Sequence, residues 1–119
     1  MAPRDRVSDC LFCRIVAGEI PSDRVLETDE VIAFRDIHPQ APTHVLVVPR
    51  RHVPDIDTLD EEEGQLLAAV FAAVRRVAEI DRLAKGYRVV TNVGAEAGQS
   101  VFHLHFHVLG GRRMSWPPG

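Results

Sequence analysis

Cysteine is almost missing from this 119-residue chain, which holds only Cys10 and Cys13. Two thiols that close together exclude a long-range disulfide staple. In a reducing compartment such a Cys-x-x-Cys pair reads as metal ligands or as a redox pair. A basic excess is missing too: 14 Lys and Arg face 17 Asp and Glu, for a formal net charge of −3. With no basic stripe, a nucleic-acid strand is not expected as the main partner, although a single nucleotide needs only a few donors. Long apolar runs are absent as well. The longest, Leu66 to Val74, is nine residues, against the roughly 20 a membrane helix requires. The opening residues 1–9 contain no apolar stretch of the signal-peptide kind, so the expectation is a cytoplasmic protein without membrane attachment.

No repeat, linker or low-complexity segment interrupts the chain, and 45% apolar with 26% charged residues is ordinary for a globular protein. The expectation is one domain over residues 1–119, with 1–8 a flexible lead-in and 110–119 a C-terminal tail. A chain of this size gains from dimerisation. Ser8 or Asp9 is placed to cap a short helix through Leu11, Phe12, Ile15 and Val16, ended by Gly18. Strands are expected at 24–27, 31–36, 44–49 and 87–92. Between the last two, residues 58–83 predict one long helix, with a capping box at Thr58–Glu61 and a core stripe of Leu67, Val70, Phe71, Val74, Val77 and Ala78. Gly64 then falls inside that helix, at a cost of about 1 kcal/mol relative to Ala. The fold class is therefore α+β: a five-stranded antiparallel sheet, one long helix and a short N-terminal helix.

The fifth strand is the one that stands out. Three of the six histidines, His103, His105 and His107, alternate with Phe102, Leu104, Phe106 and Val108. A period of two is the strand period, so the imidazoles form one row and the apolar side chains face a core. A solvent-facing row more often carries Thr, Lys or Glu. Neutral imidazole is a good nucleophile toward phosphorus, and its phosphoramidate product is labile enough to hydrolyse in a second step. A neighbouring histidine titrating near neutrality can protonate a leaving amine. Ser100 can donate to a phosphoryl oxygen, and the backbone N–H groups of Gly98-Gln99-Ser100 suggest an anion-binding nest.

The row, followed by two apolar residues, resembles the histidine triad motif of the histidine triad (HIT) nucleotide hydrolases and transferases. Asn92, Gly94, Gly98, Gln99, Ser100 and the following Gly110-Gly111-Arg112 resemble that family's phosphoramidase branch, Hint. The likeness extends from Asp9-Cys10 to Trp116-Pro117-Pro118-Gly119. It implies a homodimer joined into one continuous sheet, and a purine nucleoside 5′-phosphoramidate hydrolase acting through a nucleotidyl-histidine. It implies His105 as nucleophile, His107 beside the scissile bond, and Ser100 and Asn92 on phosphate or leaving group. His44 then serves as an upstream relay or simply caps its strand. Asp36 is implied on the ribose hydroxyls, with Phe12, Ile15, Phe34 and Ile37 walling the purine. Gln99, Val101 and Trp116 complete the implied nucleotide contacts, with Trp116 approaching the partner's site. His38 departs from the family, which usually has a small polar residue there.

In zinc-bearing members of the superfamily the Cys-x-x-Cys pair is completed by two histidines, which here are His52 and His103. The resemblance thus implies structural Zn2+ on Cys10, Cys13, His52 and His103, with no metal needed for the chemical step. Three other readings compete: a dinucleoside polyphosphate hydrolase, a nucleotide-binding adaptor with incidental catalysis, and an enzyme using all three triad histidines as metal ligands.

Overall fold

A computed structural model describes residues 6–119; part of the expected lead-in, residues 1–5, lies outside them. The chain runs α1 (Leu11–Val16), β1 (Arg24–Glu27), β2 (Val31–Arg35), β3 (Thr43–Pro49), α2 (Gly64–Ile80), β4 (Tyr87–Val90) and β5 (Phe106–Gly110), with short 3-10 turns at Ile56–Thr58, Glu61–Glu63 and Ala95–Ala97. All five strands form one antiparallel sheet in the order β1-β2-β3-β5-β4. This is the expected α+β architecture.

Two cores lie on opposite faces of that sheet. Val31, Ala33, Val45, Val47, Phe106 and Val108 point to one side, where Leu66, Val70, Ala73, Val74 and Val77 of α2 cover them. Ile32, Phe34, Leu46 and Val48 point to the other, covered by Phe12 and Ile15 of α1. The middle strand β3 is buried from end to end because both faces are covered. Full burial of a Val or Leu contributes about 1.5–3 kcal/mol, so the α2 stripe dominates the long helix's own propensity terms.

The helix begins later than expected. Leu59 adopts an extended conformation (ψ 138°) and packs against the α2-side core, which interrupts the run at its start. The expected capping box at Thr58–Glu61 is replaced by a reciprocal one between Asp55 and Thr58, and Asp60 separately caps the turn at Glu61–Glu63. Gly64 is therefore the first residue of α2, not an interior one. The buried stripe uses Leu66 and Ala73; Leu67 is half-buried, and Phe71 stays half out of the core, edge-on to Phe106 at 5.4 Å.

Cys10 caps α1 in place of Ser8 or Asp9, its Sγ accepting the Cys13 N–H at 3.3 Å. The helix ends with Gly18 N–H on Ile15 O and Glu19 N–H on Arg14 O, the paired closure that satisfies its last carbonyls. Within the lead-in, Arg6 pairs with Glu19 and Val7 N–H reaches Cys13 Sγ at 3.4 Å.

At the far end of α2, Asp81 accepts both arms of Arg35 (2.8 and 3.0 Å) and the hydroxyl of Thr43 (2.7 Å). One carboxylate thereby ties the helix terminus to β2 and β3. Gly111, directly after β5, has φ +87°, and a Cβ there would lie 2.9 Å from Pro42. Only glycine lets the chain leave β5 this close to the loop before β3.

Candidate active site and metal cluster

The regular ladder of the histidine strand starts only at Phe106, three residues later than the His103 start implied by the row. The backbone groups of residues 103–105 are used elsewhere. His103 O accepts from the His105 ring at 2.7 Å, Leu104 N–H donates to Val53 O, and His105 O accepts the Thr91 hydroxyl at 2.8 Å. The alternation nevertheless persists, with Leu104, Phe106 and Val108 in the α2-side core. Phe102 is the exception, 51% exposed instead of buried, because it precedes the extended segment.

His103 is completely buried. Its Nε2 lies 2.7 Å from Pro49 O, so the ring hydrogen sits there and Nδ1 presents its lone pair. That lone pair faces Cys10 Sγ at 3.3 Å and Cys13 Sγ at 3.5 Å, and Cys13 Sγ lies 3.3 Å from His52 Nδ1. The four ligand atoms are all within 4.8 Å of one another. A tetrahedral Zn2+ with two thiolates and two imidazoles has S···N edges of about 3.5 Å, so this donor set fits that ion in type and spacing. Burial pushes His103 down to about 4 and lowers His52, which keeps both rings neutral, the form that ligates.

His105 is buried with its ring 5.0 Å from Phe12 and 5.0 Å from His107. Its Nδ1–H donates to His103 O, which leaves the Nε2 lone pair free for chemistry. Next along the row, His107 Nδ1 lies 2.9 Å from His44 Nε2, which is also 3.5 Å from Asp36 Oδ2. Burial, reinforced by the neighbouring His105 and His44, pushes His107 down to about 4. Burial also lowers His105 and His44, partly opposed by Asp36 and, for His105, by the His103 carbonyl. The expectation of a triad partner titrating near neutrality is therefore corrected: His107 is uncharged at pH 7.

Asp36 accepts the His38 N–H through Oδ1 (2.8 Å) and fixes its own backbone by Asp36 N–H to His44 O (2.9 Å). Phe12, Ile15 and Phe34 cluster under this region with Val101 against them, while Ile37 is 86% exposed. His38 is exposed in the loop.

The turn before the strand is held largely by its own hydrogen bonds. Gln99 is buried, and its side chain takes Gly94 N–H (2.9 Å) while donating to Pro54 O (2.9 Å) and Val101 O (3.2 Å). These bonds hold the turn between Gly94 and Val101. Likewise Gly98 N–H goes to Ala95 O and Gln99 N–H to Gly94 O, so the suggested anion nest has two of its three donors already engaged. Gly98 has φ +102°, the left-handed geometry that brings the turn back beside Asn92. Ser100 is exposed and Asn92 half-buried. Trp116 is 82% exposed.

Sequence reasoning missed the loop residue Gln40, whose N–H lies 3.0 Å from His44 Nδ1. Nothing in the residue type marks a backbone donor. The two prolines around it were the only signal, since they make the loop rigid. A cleft of about 840 Å³ lies elsewhere, lined by Lys85, Arg88, Arg112 and Arg113 among others. Its lining contains no histidine, cysteine or carboxylate.

Known proteins resemble this chain in sequence and fold. The HIT domain matches residues 17–114. An uncharacterized HIT-like protein of Synechococcus elongatus is 44% identical over 111 residues, covering 93% of this chain and 97% of that protein. The crystal structure of a HIT family hydrolase from Legionella pneumophila superposes with a TM-score of 0.90 at 47% identity, covering 92% of this chain and 99% of that one. A histidine triad nucleotide-binding protein from Candida albicans superposes with a TM-score of 0.78 at 32% identity, covering 91% and 82%. With its triad, its sheet order and this coverage, the chain belongs to the HIT family.

Proposed function

We propose that this protein is a hydrolase of nucleotide bonds at the α-phosphate, and specifically a purine nucleoside 5′-phosphoramidate hydrolase of the Hint type. The observation that supports this best is the His105 ring: Nδ1 is tied to His103 O at 2.7 Å, so the nucleophilic lone pair is confined to Nε2. That nitrogen attacks the α-phosphorus, the leaving nitrogen takes up one proton from solvent, the P–N bond breaks, and the amine departs. Water then attacks the phosphorus and gives one proton back to solvent, the P–Nε2 bond breaks, and the nucleoside monophosphate leaves with His105 restored. Positive charge on the phosphorylated ring is shared with the His103 carbonyl through Nδ1–H. Ser100 and Asn92 bind the phosphate, His107 stands beside the departing group, and Asp36 takes the ribose hydroxyls. Phe12, Ile15, Phe34, Ile37 and Val101 hold the base.

Zn2+ on Cys10, Cys13, His52 and His103 would cross-link α1 to the start of the histidine strand and so keep Phe12 against His105. Its role is structural, and it belongs with a reducing cytoplasm that keeps both thiols free. The protein acts as a homodimer. The unpaired edge of β4, with Tyr87 and Val89 each more than a third exposed, offers the strand that extends the sheet, and Trp116 reaches the partner's site.

One comparison tests the reading. The purified protein is incubated with adenosine 5′-phosphoramidate, a dinucleoside polyphosphate and AMP, with and without chelator. The phosphoramidate should be hydrolysed fastest, in both conditions. Faster cleavage of the dinucleoside polyphosphate would move the protein to that class. Binding without turnover would leave an adaptor, and activity lost on chelation with the fold intact would indicate metal catalysis.

A further inference from the structure

The hydrogens along one file of groups can be counted. Gln40 N–H lies 3.0 Å from His44 Nδ1. A backbone N–H only donates, so His44 Nδ1 presents a lone pair. A neutral imidazole with its lone pair on Nδ1 carries its hydrogen on Nε2. The imidazolium is excluded in this geometry, since a hydrogen on Nδ1 would point straight at the Gln40 N–H. His44 Nε2–H then faces His107 Nδ1 at 2.9 Å, with Asp36 Oδ2 at 3.5 Å as its alternative acceptor. His107 Nδ1 must accept. Its own hydrogen therefore sits on Nε2, the nitrogen turned away from His44.

We propose that Gln40, through its main-chain N–H, is the positioning residue that fixes His44 and thereby presents His107 to the leaving group as an uncharged Nε2–H donor. The inference rests on the placing of His107 beside the departing group in the proposed function, and it deepens that reading. An uncharged imidazole donor is already aimed when charge begins to build on the departing atom, so no reorganisation is needed at that moment. No proton transfer is assigned to His107, since losing Nε2–H would leave an imidazolate.

The surroundings hold the donor in place. Arg112 Nε–H donates to Gln40 O at 3.0 Å, and the Gln40 side chain donates to His38 O at 3.0 Å. Pro39 and Pro42 flank the residue, and Gly111 allows the chain after β5 to press against Pro42. The Gly110-Gly111-Arg112 segment therefore acts on the far side of the triad, by clamping the loop that carries the N–H.

Ring-nitrogen NMR on 15N-histidine-labelled protein at pH 7 tests this without substrate, because one-bond and two-bond couplings show which nitrogen bears the hydrogen. His44 and His107 should both be Nε2–H. A His107 that is Nδ1–H or imidazolium overturns the proposal. His44→Glu puts an acceptor opposite His107 Nδ1 and should turn that ring to the Nδ1–H form; an unchanged His107 spectrum counts equally against the idea. His44→Gln can accept from Gln40 and donate to His107 with one carboxamide, so the Nε2–H form should return. Gln40→Pro removes the donor and should give His44 a mixture of tautomers; a single unchanged form overturns the role of Gln40. Should Gln40→Pro fail to fold, the wild-type and His44→Glu spectra still decide. In turnover of the phosphoramidate, His44→Glu should lower kcat by about 100-fold or more with KM little altered, and His44→Gln by less than about tenfold. A failed substrate assignment leaves the spectra standing, and failed spectra leave the hydrolysis standing.

Discussion

The carbonyl oxygen of His103 takes the Nδ1–H of His105 at 2.7 Å, so one triad histidine sets the tautomer of the next through the main chain. His103 in turn spends its own Nε2–H on Pro49 O and aims Nδ1 at the two cysteines. Neighbouring members of one row thus face different tasks.

His105→Ala should abolish hydrolysis, a loss of at least about 10⁴-fold, while nucleotide affinity falls only slightly. With the wild-type enzyme, rapid quenching during turnover should trap a nucleotidyl adduct, and peptide mass mapping should place it on His105. An adduct on His107 would refute the assignment of the nucleophile.

Cys10→Ser and Cys13→Ser should each remove stoichiometric zinc, as read by elemental analysis of protein purified without chelator. Burial pushes the Cys13 thiol up, so without metal it stays protonated at neutral pH, and metal loading must release that proton. The wild type should therefore lose zinc as pH falls. Stability should drop by on the order of 3 kcal/mol, the linkage expected for a ligand about a hundredfold above its Kd. Turnover per folded molecule should change little. Wild-type protein without bound metal would end this reading.

Acid should destabilise the fold in two separate windows. His107 is held down to about 4 by burial, against an ordinary 6.5. The unfolded chain therefore binds more protons than the native one between those values. The contribution is complete above pH 6.5 and is lost as pH falls toward 4. Asp81 is depressed below its ordinary 3.8 by Arg35 first and Thr43 second. Its contribution is intact above about pH 4 and disappears only below that. Urea unfolding from pH 8 to 3 should show both steps. Asp81→Ala should cost about 1–3 kcal/mol at pH 7 and shrink the lower one. An unaltered step below pH 4 in that variant would disprove the Asp81 contribution.

A cut after Arg113 removes Trp116 while keeping the Arg112 clamp on Gln40. Loss of residues 114–119 should alter leaving-group selectivity more than base selectivity. Trp116 is the only tryptophan, and it is 82% exposed in the single chain. Its emission should shift to the blue as concentration rises and light scattering reports a dimer. Solvent-like emission at every concentration, or a monomer by scattering, would count against the interface.

Periodicity in the chain determined which residues face which way. The alternation at 103–108 put His103, His105 and His107 on one side and Leu104, Phe106 and Val108 on the other, and the apolar repeat at 67–78 announced a helix with one buried face. Those patterns are local: a side chain's direction follows from its place in a strand or helix. Where each element begins was a tertiary decision. Leu59 turned toward the core and delayed α2 to Gly64, and the backbone of 103–105 gave its hydrogen bonds to Val53, Thr91 and the His105 ring instead of β3. The sequence also supplied the chemical groups, cysteines and histidines at suggestive spacings. It left their protonation and tautomers open, because burial and backbone carbonyls set those. Pro49 O, His103 O and Gln40 N–H are identical in kind to every other main-chain group. Only the folding of β3, β5 and the loop at 38–42 around one another makes them the atoms that orient the imidazoles.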